Sequence, residues 1–220
     1  MESKSFVNYP VEFMRFTLYY DGPLPSAANS ARLSEKQLIR KSIHPQLLEL
    51  FSIDPNLPKP RDGRGWSNWM SWDWPVWEPP NVAFLEERAV FPVGELKFVP
   101  LIRSNIFLHC ELDVLFLRRG NPGSIIKDGD IDNRLLTLAD GLRLPKGEKE
   151  IDYVTKQNNF PPNNPIFCLL EDDSLISRWN VKTDRLLLAP SENPSNVRLV
   201  IEVRIKASES MPMNIGLSGD

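Results

Sequence analysis

The sequence predicts an α+β fold with a single domain, in which a mostly antiparallel sheet carries a few helices on one face. Segments 105–118 and 197–206 alternate apolar and polar residues, which is the period of a strand with one buried face. Segments 34–51 and 133–143 place apolar residues three or four positions apart, as amphipathic helices do. With 220 residues, 41% hydrophobic and 25% charged, and no internal repeat, the chain suits one domain with a buried core.

The elements before residue 105 are a strand, a helix and a loop. Residues 13–20 predict a first strand, which the turn-forming run Asp21-Gly22-Pro23 is expected to end. Residues 34–51 predict a helix with Ser34 as its N-cap, and Pro45 is expected to kink or split it. Residues 53–82 are rich in Pro, Gly and Trp and predict a long loop. Its tryptophans either pack the loop onto the body of the protein or stack on unpaired bases.

The remaining elements alternate between strands and helices. We expect a strand or hairpin at 86–103 and a strand at 105–118. A helix at 133–143 has the apolar stripe Ile131, Leu135, Leu138 and Leu142. Residues 144–165 predict a long surface loop, and strands follow at 174–188 and 197–206. Residues 207–220 predict a flexible tail.

Composition excludes several classes of protein and function. The net charge is −3, so no global basic surface indicates nucleic-acid binding, although a local patch would suffice for it. We see no signal peptide and no apolar run of membrane-spanning length. Cys110 and Cys168 have neither disulfide density nor zinc spacing. These features predict a cytoplasmic protein with reduced, buried thiols.

Two acidic clusters are the strongest functional signal. The run Asp130-Ile131-Asp132-Asn133 opens the second predicted helix, and Glu171-Asp172-Asp173 precedes a predicted strand. Hard cations such as Mg²⁺ prefer oxygen ligands of this kind, and a bound cation relieves the repulsion between converging carboxylates. The alternative is that Asp132 is only a helix N-cap and the acidic pair is only a solvated turn.

These motifs, in this order around one helix, resemble the RusA-like endonucleases, which are Holliday junction resolvases of bacteria and their phages. The resemblance covers residues 105–206, with residues 1–104 as a divergent N-terminal part of the same domain. It runs through the following segments: Asp130-Ile131-Asp132-Asn133, Leu138-Ala139-Asp140-Gly141-Leu142 and Glu171-Asp172-Asp173-Ser174-Leu175-Ile176.

The resemblance implies a metal-dependent nuclease that acts in DNA recombination and repair. Its metal ligands and catalytic residues would be Asp130, Asp132 and Asp173, with Asp172 in support. The cofactor would be Mg²⁺, for which Mn²⁺ can substitute. The enzyme would be a homodimer that nicks two strands of a four-way DNA junction symmetrically. Basic residues near the motifs would contact DNA phosphates, unless they are scattered surface charge: Arg118, Arg119, Lys127, Arg134, Arg178, Lys182 and Arg185.

One position departs from the family pattern. The family usually has a catalytic lysine one helical turn after the second motif aspartate, where this chain has Leu136. Either another cation substitutes, or cleavage is slow or needs a partner, or the protein binds branched DNA without cutting it. The candidates for a substitute are Lys127, Arg134, Lys182 and Arg185. A nuclease for flaps, replication forks or RNA is a further alternative.

Overall fold

A computed structural model describes most of the predicted core of the chain. It covers residues 14–25, 32–54, 57, 60–61, 65–66, 89–119, 131–157, 165–187, 193, 195–209, 214 and 217. Asp130, Lys127 and most of the Trp-rich loop lie outside the described residues. Within these ranges the chain is a single α+β domain with mostly antiparallel strand pairs, which confirms the predicted fold class.

The larger sheet has four strands, whose order across the sheet follows from their pairings. Both β1 (Arg15–Pro23) and β6 (Leu108–Arg118) run antiparallel to the central strand β9 (Asn196–Ala207). The strand β8 (Ile176–Arg185) runs parallel to β6 and begins beside its start, with Ile176 opposite Cys110. The predicted alternation in β6 and β9 is confirmed, because their inward-facing apolar residues form much of the core.

The smaller sheet contains β4 (Phe91–Val93), β5 (Leu96–Ile102) and β7 (Ile166–Leu170). The first two form the hairpin expected at 86–103, and β7 pairs parallel with β5. Strand β7 lies within segments that we predicted as loop, and its five residues are all buried. A short continuous apolar run is its only local signal, and such a run does not show the alternation of a half-buried strand. Two short strands, β2 (Pro60–Arg61) and β3 (Gly65–Trp66), pair with each other.

Strand β1 does not end where its sequence predicts. The turn-forming run at 21–23 continues the strand and pairs with residues 196–198 of β9. Proline is compatible with this position because Pro23 is the last residue of a strand at the edge of the sheet.

Helix α1 (Leu33–Ile53) confirms the predicted helix but corrects two of its details. The residue before the helix is Arg32, which has the left-handed φ of 45°, and Ser34 lies inside the helix. The Ser34 hydroxyl donates to Glu35 Oε2 at 2.7 Å instead of capping the helix. Pro45 does not split α1, which continues through it to Ile53.

Helix α2 (Ile131–Leu142) packs against α1 through a face that differs from the predicted stripe. Leu138 and Leu142 are buried as predicted, whereas Ile131 and Leu135 are only half-buried. The close approach depends on Gly141, because a Cβ at this position would lie 2.7 Å from Ile39 Cβ of α1.

Helix α3 (Glu148–Lys156) lies within the segment that we predicted to be a long surface loop. Most residues of this short helix are charged or polar, so its apolar periodicity is hard to recognise in the sequence. Val154 is buried in the apolar cluster that includes Phe98 and Val93, and the half-buried Ile151 packs against this cluster. The helix therefore covers the smaller sheet.

Two residues of the predicted flexible tail are described and buried, namely Asn214 and Leu217. The Asn214 side-chain amide donates to Ile106 O at 2.7 Å and to Glu209 O at 2.8 Å. These two residues therefore belong to the packed domain.

Candidate functional site

The second acidic cluster occupies the turn between β7 and β8. Asp172 Oδ1 accepts a hydrogen bond of 2.9 Å from the backbone N–H of Ser174, which caps the short 3₁₀ turn that Asp173 begins. Glu171 points elsewhere and accepts from Ser104 N and Oγ at 2.8 and 2.9 Å. Asp172 and Asp173 therefore form an acidic pair that stays open to solvent, and we use this name for them below.

Two cations contact the acidic pair. Lys146 Nζ lies 3.2 Å from Asp173 Oδ1 and also contacts Asp172 Oδ2. Arg143 Nε lies 3.6 Å from Asp173 Oδ1. Hydrogen bonds from Lys146 and Ser174 hold the pKa of Asp172 well below its usual range. Partial burial on its own would lower the pKa of Lys146, but its bonds to both aspartates raise it. Lys146 and Asp172 are therefore both charged at neutral pH.

The ionic network continues from the acidic pair into the protein interior. Asp140 Oδ2 of α2 lies 2.8 Å from Lys36 Nζ of α1, and Asp140 Oδ1 also accepts from Arg143. Deeper still, the buried Arg40 and Glu150 form an ion pair of 2.6 Å that joins α1 to α3. Opposite charges thus alternate along the network, so each charged group has a neighbour of opposite sign.

The first acidic motif lies at the other end of α2. Asp132 is exposed in the first turn of the helix, whereas Arg143, the partner of Asp173, follows its last residue. At 1.5 Å per residue, about 16 Å of helix axis separates the backbone positions of Asp132 and Arg143. Positions along the larger sheet also separate the two residues. Asp173 lies just before β8, which begins beside the start of β6. The first turn of α2 lies near the end of β6. Its Arg134 donates to the O atom of Leu24, which follows Pro23 of β1, and Pro23 and Arg118 pair with the adjacent residues Asn196 and Val197 of β9.

The described structure therefore does not bring Asp132 and Asp173 together, although the sequence suggested one shared metal site. Asp130 is outside the described residues. Within the described ranges, no three Asp, Glu, His or Cys side chains are grouped closely enough to hold a metal ion. The acidic pair itself remains as two adjacent carboxylates.

The predicted basic rim divides into buried and exposed residues. Arg118 and Arg134 are buried, and the Arg134 guanidinium donates to Leu24 O, so Arg134 is not positioned to replace the family's lysine. Arg119, Lys182 and Arg185 are exposed, as is Arg178, which pairs with Glu111 at 3.0 Å. Lys127 lies outside the described residues. Lys182 and Arg185 belong to β8, which leads away from the acidic pair.

Lys146 and Arg143, the two described cations in contact with the acidic pair, were not among the predicted site residues. Both lie just beyond the end of α2. Arg143 is the last residue of the predicted helix, and Lys146 belongs to the segment that we predicted as loop. The separation in sequence does not indicate that residue 146 contacts residues 172 and 173 in the folded protein. The position of the family's lysine, Leu136, is 61% exposed near the middle of α2.

Comparison of the chain with protein-family models finds no matching family, and comparisons with curated proteins and with solved structures find no significant match. Among the helices that the structure describes, none is long and apolar enough to cross a membrane. The resemblance to RusA-like endonucleases therefore rests on the motifs, and the function is argued from them and from the site.

Proposed function

We propose that the protein is a Mg²⁺-dependent DNA endonuclease of the RusA type, which hydrolyses phosphodiester bonds at four-way junctions. One observation carries the proposal: a solvent-open carboxylate pair, Asp172 and Asp173, lies against the cations Lys146 and Arg143. Phosphodiester hydrolysis needs both kinds of group. Carboxylates bind the metal, and cations neutralise the phosphate charge.

The acidic pair fits the ligands that Mg²⁺ requires. Magnesium is usually bound by one or two carboxylates, with waters and substrate phosphate oxygens completing its shell. When bound, the ion supplies positive charge that polarises the phosphate and lowers the pKa of a water. In the described structure Lys146 is ion-paired with both aspartates, so metal binding would compete with these ion pairs. Lys146 would then be available to neutralise phosphate charge.

Other parts of the proposal concern the DNA. The exposed residues Arg119, Lys182 and Arg185 would contact phosphates, with Lys127 contributing from outside the described ranges. A homodimer would match the two-fold symmetry of a four-way junction and would provide one site for each of the two nicked strands. A cytoplasmic location is part of the same proposal.

The distance between the two acidic motifs favours a second candidate function. Asp132 and Asp173 lie at opposite ends of α2, and Lys146 and Arg143 already neutralise the acidic pair. A protein that binds branched DNA without cutting it would need only the basic surface. This candidate differs from the first in one measurable property, which is cleavage.

Cleavage of a synthetic four-way junction tests the proposal. Purified protein is incubated with the labelled junction in Mg²⁺ or Mn²⁺, beside flap, fork, duplex and RNA substrates. We expect nicking of the junction, and we expect Asp173→Asn to slow it at least about 100-fold, because a carboxylate that would bind the metal is lost. Asp152→Asn is the matched control, since Asp152 is an exposed partner of Lys156 in α3.

The variant Asp132→Asn tests the first motif separately. If that motif takes part in the reaction as the resemblance implies, Asp132→Asn abolishes nicking and leaves the circular dichroism spectrum unchanged. Nicking that survives in both aspartate variants would contradict the site assignment. A junction gel shift without cleavage in any divalent metal would establish the second candidate instead.

A further inference from the structure

The two edges of the four-stranded sheet differ in how they are covered. At the β1 edge, the Gln46 side chain of α1 accepts from Tyr19 N at 3.0 Å and donates to Tyr19 O at 2.8 Å. It thus replaces a neighbouring strand at that point. At the other edge, β8 pairs with β6 on its inner side, and no described strand pairs with its outer side. Unpaired strand edges are the usual templates for pairing with another chain.

The side chains of β8 are not fully covered on either face. Trp179, Val181 and Thr183 lie opposite the buried Leu112, Val114 and Phe116 of β6, yet all three remain partly exposed. The other face of β8 is polar and carries Arg178, Asn180, Lys182 and Asp184. The edge strand therefore combines an incompletely covered apolar face with a charged face.

We propose that β8 is the dimer interface, where it pairs antiparallel with β8 of a second copy of this chain about a two-fold axis at Val181. The two four-stranded sheets would then form one continuous sheet. On the polar face, Arg178 would lie opposite Asp184 of the second copy, and Asn180 opposite Lys182. On the apolar face, Val181 would lie opposite its own copy, and Trp179 opposite Thr183. The interface is thus self-complementary, as a two-fold dimer requires.

The charges select this register over its neighbours. An axis at Asn180 would set Arg178 opposite Lys182, and an axis at Lys182 would set two lysines opposite each other. Like charges directly opposite in a sheet are destabilising, whereas opposite charges contribute favourably. An axis between two residues would pair apolar positions with polar ones. The charge of Lys182 therefore destabilises the registers centred on Asn180 and Lys182, and it is compatible with the register centred on Val181.

The proposal rests on the homodimer of the proposed function and specifies its interface, but it does not depend on cleavage. Its test is disulfide cross-linking of single-cysteine variants. Directly opposite residues in an antiparallel pair have Cβ atoms about 4.5–5.5 Å apart, so Val181→Cys should link two copies. Thr183→Cys is the matched control on the same face. It would lie about 13 Å from its counterpart, because four residues of strand separate them. The native Cys110 and Cys168 are buried.

We expect mild oxidation to convert most of Val181→Cys into a reducible dimer and to leave Thr183→Cys monomeric on a non-reducing gel. Light scattering of the unmodified protein should give twice the chain mass of 25.2 kDa. Val181→Arg should raise the dimer dissociation constant at least about tenfold, since it sets two like charges opposite each other. A monomeric wild-type protein at about 100 µM, or equal cross-linking of both cysteine variants, would overturn the proposal.

Discussion

Lys146 Nζ lies 3.2 Å from Asp173 Oδ1, and the same ammonium group contacts Asp172. The lysine belongs to the segment between α2 and α3, whereas the RusA-like pattern expects a lysine at position 136 of α2. The chain thus places a cation beside the acidic pair from a different part of the fold. If the proposed nuclease function is right, Lys146 is the residue positioned to neutralise the phosphate there.

Replacing Lys146 should slow cleavage. We expect Lys146→Met to reduce the single-turnover rate on the four-way junction about 10- to 100-fold, because a charge-stabilising group is removed. Lys146→Arg should keep part of the rate, since it retains the charge but changes its geometry. Lys149→Met is the control for net charge, because Lys149 is exposed in α3. Equal rates for Lys146→Met and Lys149→Met would show that Lys146 has no role in the reaction.

Restoring the family's lysine should raise cleavage. A side chain at position 136 leans toward the N-terminal end of α2, so Leu136→Lys would bring its ammonium group toward Asp132. We expect a higher cleavage rate than wild type, most clearly in the Lys146→Met background. Leu136→Met serves as the neutral control. If Leu136→Lys changes nothing or lowers the rate, another residue already supplies the charge.

The buried ion pair between Arg40 and Glu150 should matter for stability. Glu150→Leu leaves the Arg40 guanidinium buried without its carboxylate, and we expect it to lower the free energy of unfolding by about 3 kcal/mol. The double variant Arg40→Met/Glu150→Leu should lose less, because it leaves no charge unpaired at this site. Urea unfolding measures both. Asp152→Asn, at an exposed pair, should change stability by no more than about 0.5 kcal/mol. If the double variant has a lower free energy of unfolding than Glu150→Leu, this account is wrong.

Asp140 should contribute to the change of folding stability with pH in the acidic range. Burial on its own would raise the pKa of Asp140, but hydrogen bonds and charge from Lys36 and Arg143 outweigh it and hold the pKa below its ordinary value. A lowered folded-state pKa contributes stability above the unfolded value of about 3.9, and this contribution is lost as pH falls toward the folded pKa. Asp140→Asn should therefore flatten the decline in unfolding midpoint between about pH 5 and pH 2. An unchanged slope would show that Asp140 does not contribute to it.

The strands of the larger sheet could be predicted because their signal is local. Segments 105–118 and 197–206 alternate apolar and polar residues over most of their length, and alternation follows from which side chains face the core. Strand β7 and helix α3 could not be found in this way. The first is buried on both faces, and the second is short with few apolar residues, so neither shows a clear period.

The sequence by itself determined the α+β class, the long helices and the acidic motifs, because propensity, periodicity and residue type act over a few positions. Only the tertiary structure decided where these motifs lie relative to each other. It separated Asp132 from Asp173 along α2, brought Lys146 to the acidic pair, and left the β8 edge without a described strand beside it. These relationships depend on chain direction and on contacts between residues far apart in sequence. Local patterns contain no information about such distances.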